Sequence, residues 1–405
     1  MSNTLVTCSI VAKESLAVLE NMLSFAANVN RNWEDEFGSN QSRGYSPGTT
    51  INIKKPPRFN YRAGRVAVPQ ATVETTIPLT LSQGGTDLFF TGLERTLSIQ
   101  QMEQKIQAAM ATVANEIDRQ GLDMARLNTF NAIGTPGTLP TTQALAIAAF
   151  AGLNQRLDEM GAPAKDRTRR SLIANPAFNA STLQGLVGLF NDQGQIAKQY
   201  GSGLIQTPFG LQFGMDQNVG LHTNGTAVVA TNTVNGAGQT GSTITVNALN
   251  GTITKGTKIT FASVNAVNPQ SRASTGSLAQ FVVTADAANG ATSLLISPAL
   301  TPTGAFQNVT ASPGNAAVIT IFGTASGSYN TNVAYDRDAY TLAMVPMYAP
   351  PGGKGVIDSA VESYKGMNIR VIEYFDGTND VHNMRMDVLF GWASPYPELA
   401  CIYGT

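Results

Sequence analysis

The sequence predicts an α+β protein carrying an inserted antiparallel β-barrel-like domain, and three stretches carry that prediction. Ile99, Met102, Ile106, Met110, Val113 and Ile117 step by three and four, the spacing of one apolar helix face. From His222 to Asn332 the only charged residues are Lys255, Lys258, Arg272 and Asp286, while short alternating runs recur between Asn-Gly pairs. Ahead of both, two alternating runs are split by Pro56, Pro57, Gly64 and Pro69, the pattern of a long protruding two-stranded loop.

Composition narrows the function classes. The 405 residues suffice for two or three domain-sized units. Apolar residues make up 42 %, enough for a real core. Charged residues make up only 13 %, about half the usual ~25 %. A surface poor in charge and rich in Ser, Thr, Asn, Gly and Ala suits a subunit that mostly faces other subunits. The net charge of −1 argues against a basic nucleic-acid binder but fits a container that holds DNA without gripping it. Cys8 and Cys401 offer neither a disulfide framework nor zinc spacing, so a reducing cytoplasm is the simplest setting. No apolar run reaches the ~18–20 residues of a membrane span. Leu5 to Ala12 is apolar but no basic segment precedes it, and Lys13, Glu14 and Glu20 interrupt the apolar region that a signal peptide would continue, so no export signal is expected.

In chain order, Ser9 can cap a helix to about Val29, with Ile10, Leu16, Leu19, Leu23 and Ala27 on one side. A polar, Gly- and Ser-rich stretch follows to Gly48. Thr50 to Phe59 and Thr72 to Leu81 read as paired strands. Between Arg43 and Arg65 lie Arg43, Lys54, Lys55, Arg58, Arg62 and Arg65 with no acid among them. Such a loop is either a solvated charged loop or an arm docking on an acidic neighbour. Ser98 to Gln101 fits a capping box for the helix that runs to about Gln120. Thr142 to Met160 and Ala180 to Phe190 read as helices around a strand at Ser171 to Ala174, and Lys198 to Val219 as extended. Strands are expected at Ser242 to Leu249, Thr257 to Val264, Ala279 to Thr284, Thr292 to Ile296 and Ala317 to Phe322. Asn224, Asn235, Asn250 and Asn289 each precede a Gly that a tight hairpin can use. Tyr335 to Met344 reads as a helix, and Gly366 to Leu389 as strands.

Little of this can carry chemistry. Gly236 to Gly241 matches GxGxxG but precedes the strand Thr243 to Val246, so no helix N-terminus awaits a pyrophosphate. Pro351-Gly352-Gly353-Lys354-Gly355 lacks the remaining residues of a phosphate loop. His222 and His382 are the only histidines and stand far apart. Asp336 and Asp338 most simply cap the helix expected to follow them and favour its positive dipole end. No catalytic residue, cofactor or metal is expected, and the chain is not read as an enzyme.

Residues in order now carry a resemblance. Asn30-Arg31-Asn32-Trp33 with Gly48 to Pro56 resemble the arm and start of the extended loop of tailed-bacteriophage major capsid (coat) proteins, and Leu79 to Ser82 with Leu88 to Thr91 resemble their stretch entering the spine helix. Asp336 to Ala343 resembles the helix after their insertion, and Met386 to Trp392 with Tyr396 to Ala400 their closing strand and tail. Val264 to Arg272, continuing through Ser274-Thr275-Gly276 to Phe281, is similar to the inserted domain of short-tailed-phage coat proteins.

The resemblance implies the tailed-phage capsid fold. Its parts would be an N-terminal arm over 1–49, an extended hairpin or E-loop over 50–90, and a spine helix with part of the P-domain over 91–140. The A-domain would take 141–221 and 333–352 around an inserted β domain at 222–332, with P-domain closing strands and C-terminus over 353–405. It implies a subunit that assembles into pentamers and hexamers of an icosahedral procapsid and capsid around double-stranded DNA. Its partners would be further copies, a scaffolding protein and a portal protein, with no membrane. Assembly would take place in the host bacterial cytoplasm and the product would be the virion. Lys54, Lys55, Arg58, Arg62 and Arg65 are the candidate inter-subunit contacts. Glu34, Asp35, Glu36, Glu103, Glu116 and Asp118 are their candidate acceptors. Glu14 and Glu20 are the candidate scaffold contacts. An insert with Asp286 as its one acid is poorly equipped for charged contacts between capsomers and suits folding of its own subunit. The alternatives are an encapsulin-like compartment and a secreted β-rich adhesin; Asn224, Asn250 and Asn308 each begin a glycosylation sequon.

Overall fold

The computed structural model describes residues 8–34, 37, 48–59, 61–62, 64–67, 69–72, 74–91, 102–163, 166–186, 208–353, 355–364 and 367–405. Its helices are α1 (Cys8–Met22), α2 (Met102–Asn128), α3 (Gln143–Glu159) and α4 (Pro176–Leu186). Strands in the first half are β1 (Thr50–Lys55), β2 (Thr75–Thr80), β3 (Ser82–Thr91), β4 (Ala132–Ile133), β5 (Arg170–Ala174), β6 (Gln212–Met215) and β7 (Leu221–Thr223). Then come β8 (Asn232–Thr233), β9 (Gly241–Thr245), β10 (Lys258–Val267), β11 (Ser274–Val283), β12 (Ser293–Leu300) and β13 (Val318–Ile321). The last are β14 (Ser328–Asp336), β15 (Thr341–Met344), β16 (Asp358–Tyr364), β17 (Met367–Asp376), β18 (Val381–Ala393) and β19 (Ala400–Gly404). The chain forms two compact units: Met1–Ile53 with Thr76–Gly121 and Thr341–Ala393, and Lys54–Thr75 with Leu122–Tyr340 and Ser394–Thr405.

The first unit is built on the sheet β15-β18-β17-β16, to which β3 adds along ten residues of β18. Leu88 to Thr91, expected to lead toward the spine helix, is the end of this strand. Every second residue of β18 from Met384 to Phe390 is buried, as a half-covered sheet requires. The helix α1 packs on β16 and β17 with Val11, Leu16 and Leu19 buried. It ends at Met22 and not near Val29, and Ser9 lies within it, donating to Glu362 Oε1 at 2.6 Å. The reason for the early end is tertiary. Asp118, 2 % exposed on the spine helix, accepts the backbone N–H groups of Ser24 (2.7 Å), Phe25 (3.2 Å) and Ala26 (2.9 Å). A carboxylate holding three consecutive amides turns the chain there, into a short 3₁₀ turn at Ala26–Asn28.

The spine helix α2 buries Ile106, Met110, Val113 and Ile117, the face read from the sequence. It runs on to Asn128, past the expected end at Gln120. Gly121 is not a stop. A Cβ there would come within 2.6 Å of the Trp392 ring and 2.8 Å of Phe25, so the helix accepts a glycine for close packing. The capping box at Ser98 to Gln101 lies outside the described residues.

In the second unit the order β4-β19-β14-β5-β6 makes one sheet, with β7 also on β14. The C-terminal strand β19 therefore lies beside β14, in a different sheet from β16 to β18 with which the sequence reading grouped it. The helix α3 occurs where expected, with Thr142 as its cap. The helix α4 begins at Pro176, four residues early, because Asn175 Oδ1 accepts the Phe178 N–H at 2.8 Å. Both helices cover the sheet through Phe150, Leu153, Leu157 and Phe178. Tyr335 to Met344 is not a helix. It is the end of β14, one 3₁₀ turn at Arg337–Ala339, and β15. Asp336 does cap, accepting the Asp338 N–H, but Tyr335 and Tyr340 are wholly buried and hold extended chain on both sides.

Between β7 and β14 the chain makes a second sheet in the order β8-β13-β10-β11-β12-β9. All five strands expected in this stretch occur. The outermost strands meet as well, through Asn235 N to Thr245 O and Asn247 N to Thr233 O, each 3.0 Å. The Asn-Gly pairs are not hairpin turns with both residues at positive φ. Gly236, Gly251 and Gly290 are at positive φ but the asparagines before them are not, and Gly225 serves instead for a close approach to Thr252.

The Asp118 junction yields a direct test. Asp118→Ala strands three backbone N–H groups without an acceptor. At roughly 1–3 kcal/mol for each buried unsatisfied group, it should destabilise the subunit by about 3 kcal/mol or more. Urea denaturation followed by tryptophan fluorescence measures this, with Asp118→Asn intermediate.

Candidate inter-subunit surface

The basic hairpin begins as the ladder β1-β2, and Pro56 and Pro57 end that pairing four residues short of the expected strand. Four of the five candidate cations have partners within their own chain. Lys54 pairs with Glu74 across the hairpin at 2.9 Å. Lys55 and Arg58 share the Glu398 carboxylate at 4.0 and 3.5 Å. Their positive groups also stand over rings, Lys55 over Tyr396 at 5.2 Å and Arg58 over Phe306 at 5.8 Å. Arg62 donates to the carbonyls of Gly64 and Val66 in its own loop. Arg65 is exposed. The Phe59 carbonyl is held by Arg272 Nη2 at 3.0 Å.

The sequence reading found no acid in the basic run and looked for acceptors on the arm and spine. Those groups are engaged elsewhere: Glu34 accepts the Met344 N–H, Glu116 pairs with Arg119, and Asp118 holds Ser24 to Ala26. Asp35 and Glu36, and the side chain of Glu103, lie outside the described residues. The acceptors missed were Glu74 and Glu398. Glu74 could have been found from the facing strand; Glu398 is separated from Arg58 by 340 residues and left no local signal.

Beyond its root the hairpin turns apolar and exposed. Phe59, Tyr61 and Val66 are 55, 94 and 79 % exposed. These are three large apolar groups exposed on one narrow ribbon. Below the root a cleft of about 430 Å³ is lined by Phe59, Met160, Pro269, Arg272, Tyr396 and Leu399. Of the scaffold candidates, Glu14 is exposed on α1, and the side chain of Glu20 lies outside the described residues.

The inserted strands spend their few charges on their own unit. Lys258, 1 % exposed, donates from Nζ to Arg126 O at 2.8 Å and Gly256 O at 2.7 Å, capping the last turn of the spine helix with an ammonium. Burial, then the Arg126 charge, push Lys258 down to about 7. Beside it, burial first, then Lys258 and Arg126, hold His222 down at about 3. Gln280 copies a strand pairing by accepting the Ala132 N–H at 2.8 Å and donating to its carbonyl at 2.6 Å. Arg156 donates to Leu278 O and Asn131 Oδ1 while paired with Glu159. Asp286 accepts the Lys255 N–H.

Among the described residues no group of three or more His, Cys, Asp or Glu could hold a metal ion. Cys8 and Cys401 are free and buried, and burial above all pushes each thiol up to about 12. The GxGxxG segment is a loop tied by Gln239 to Asn235 O and Thr245 O, leading into β9. Lys354 lies outside the described residues. No helix of the described residues is long and apolar enough to cross a membrane.

The sequence model of the P22 coat protein (gene protein 5) family matches residues 84–403. That span runs from β3 into β19 and includes the spine helix and all the inserted strands. No curated protein sequence matches. Among solved structures, a chain of Mycobacterium phage Che8 is similar at 13 % identity and TM-score 0.50, over 94 % of this chain and 90 % of that one. The capsid of cyanophage P-SCSP1u follows at 11 % and 0.44, over 89 % and 84 %. The capsid of Myoviridae phage XM1 stands at 8 % and 0.42, over 94 % and 91 %. At such identities the likeness to the phage Che8 chain speaks for a shared fold.

The buried ammonium makes a pH prediction. Lys258 falls from 10.5 to about 7 on folding, so the unfolded chain binds the additional proton between those values. Stability therefore rises with pH across that window and levels off above it. In Lys258→Met the rise should be smaller than in the wild type. Urea midpoints at several pH values between 7 and 10.5 measure it, and identical slopes would contradict the assignment.

Proposed function

The chain belongs to the P22 coat protein family, and from that premise we propose how its parts serve a virus shell. It is a major capsid protein whose copies assemble into the shell of the virion, a structural role and not a catalytic one. Family membership displaces the encapsulin and adhesin readings. The adhesin loses a further support, since the side chains of Asn224 and Asn308 donate to backbone carbonyls of their own chain.

In the finer reading, pentamers and hexamers close an icosahedral procapsid in the host bacterial cytoplasm, around a scaffolding protein and with a portal protein. The shell then encloses double-stranded DNA. Residues 222–332 form an inserted module that steadies its own subunit, and α1 offers Glu14 and Glu20 to a basic scaffold end. The near-neutral charge suits a wall that leaves DNA unheld. The observation that carries the proposal is the hairpin, with an exposed apolar tip at Tyr61 and Val66 and Arg65 beside it. An isolated two-stranded ribbon is marginal in water, so such a tip calls for a neighbour's surface. Lys54, Lys55, Arg58 and Arg62 stand behind it as contacts that can pass from their own chain to the neighbour.

Mixing purified subunit with scaffolding protein and following the products by size exclusion and electron microscopy tests the assembly reading. Closed shells are expected, and a compact monomer at every concentration would overturn it. Tyr61→Ser with Val66→Ser should weaken assembly while shifting subunit stability by no more than about 0.5 kcal/mol, the usual range for surface changes. Arg65→Gln should add a defect that fades at high salt, as exposed charge contacts do.

A further inference from the structure

The hairpin's root and tip are held differently, and the difference centres on one carboxylate. Glu398 takes Lys55 and Arg58 together, and all three side chains are sheltered, at 20, 24 and 36 % exposure. The acid is itself on fixed backbone. Its carbonyl accepts from Asn131 Nδ2 at 3.2 Å, the Leu399 N–H closes a turn on Tyr396 O at 2.9 Å, and the Tyr396 N–H reaches Ala339 O. Arg272, at the far side of the root, holds the Phe59 carbonyl. Six residues further on, Arg65 and Val66 are both exposed, and the bonds that Arg62 makes to Gly64 and Val66 stay within the loop itself.

We propose that Glu398 is a positioning residue for assembly: by binding two cations of the hairpin root it sets the direction in which the tip reaches a second copy of the chain. A single ion pair lets a ribbon swivel. Two cations three residues apart on one carboxylate, each also lying over a ring, leave one orientation. Fixing that orientation in the free subunit lowers the ordering cost that the intersubunit contact would otherwise carry. The inference rests on the reading of the tip as the intersubunit contact, and the two can be tested apart.

The native thiols are buried, so a fluorophore on Ala67→Cys, an exposed tip position, reports hairpin motion in the full-length unassembled subunit. Glu398→Gln should lower the label's residual anisotropy and slow assembly several-fold at equal concentration. High salt should move the wild type toward the same anisotropy and leave the variant little changed. Reversing the charges, with Glu398→Lys, Lys55→Glu and Arg58→Glu in one chain, should restore both readouts. Unchanged anisotropy in Glu398→Gln overturns the proposal, and so does a loosened hairpin that assembles at the wild-type rate. Wild-type assembly by the Tyr61→Ser, Val66→Ser chain removes the tip contact itself, whatever Glu398 does to hairpin motion.

Discussion

A carboxylate withdrawn from water is costly unless hydrogen bonds replace its hydration, and Asp118 meets that condition with three consecutive backbone amides and the Ser24 hydroxyl. The first unit depends on that junction. It ends the run of chain from α1, turns it into a 3₁₀ turn, and seats Phe25 against Trp392 with ring centroids 5.3 Å apart. Trp392 in turn donates to Ile117 O, one residue before Asp118. Arm, spine helix and the long strand β18 thus meet around a single buried acid, and Gly121 is the opening that lets them approach.

The second unit applies the same rule with cations. Arg170 is fully buried yet bonded to Asn154 and Asp158, Arg156 to Asn131, Glu159 and Leu278, and Lys258 to two carbonyls. In a chain with 13 % charged residues such an allocation is informative. Charges stand where segments distant in sequence must be joined, and the inserted strands use Lys258 and Gln280 to fasten themselves to Arg126 and Ala132. These bonds support the proposal of a module that steadies its own subunit. Internal fastening is one requirement of a shell subunit, and contact with its neighbours is the other.

The hairpin shows the other half of that requirement. Exposed ion pairs contribute only ~0.2–1 kcal/mol each, so no single one commits the subunit to a wrong neighbour. In the proposed reading, specificity comes from where the apolar tip points. A root held through Lys55, Arg58 and Arg272, with exposed apolar groups at Tyr61 and Val66 beyond it, would then separate aim from adhesion.

Periodicity made much of this legible. The buried stripe of the spine helix and the five expected strands between β7 and β14 follow from local patterns of 3.6 and 2.0 residues, which any window of sequence displays. The resemblance of ordered segments to phage coat proteins pointed to the family. Local pattern failed where distant groups decided the backbone. The helix from Ser9 stops at Met22 because Asp118 takes the amides that would have continued it. Gly121 sits inside a helix because Trp392 and Phe25 crowd that side. Tyr335 to Met344 has helical propensity but is extended, because ladders with β5 and β19 on one side and β18 on the other bind its amides. The partners of the basic run were hidden for the same reason: Glu398 lies 340 residues from Arg58, and only the folded chain brings that carboxylate under the hairpin.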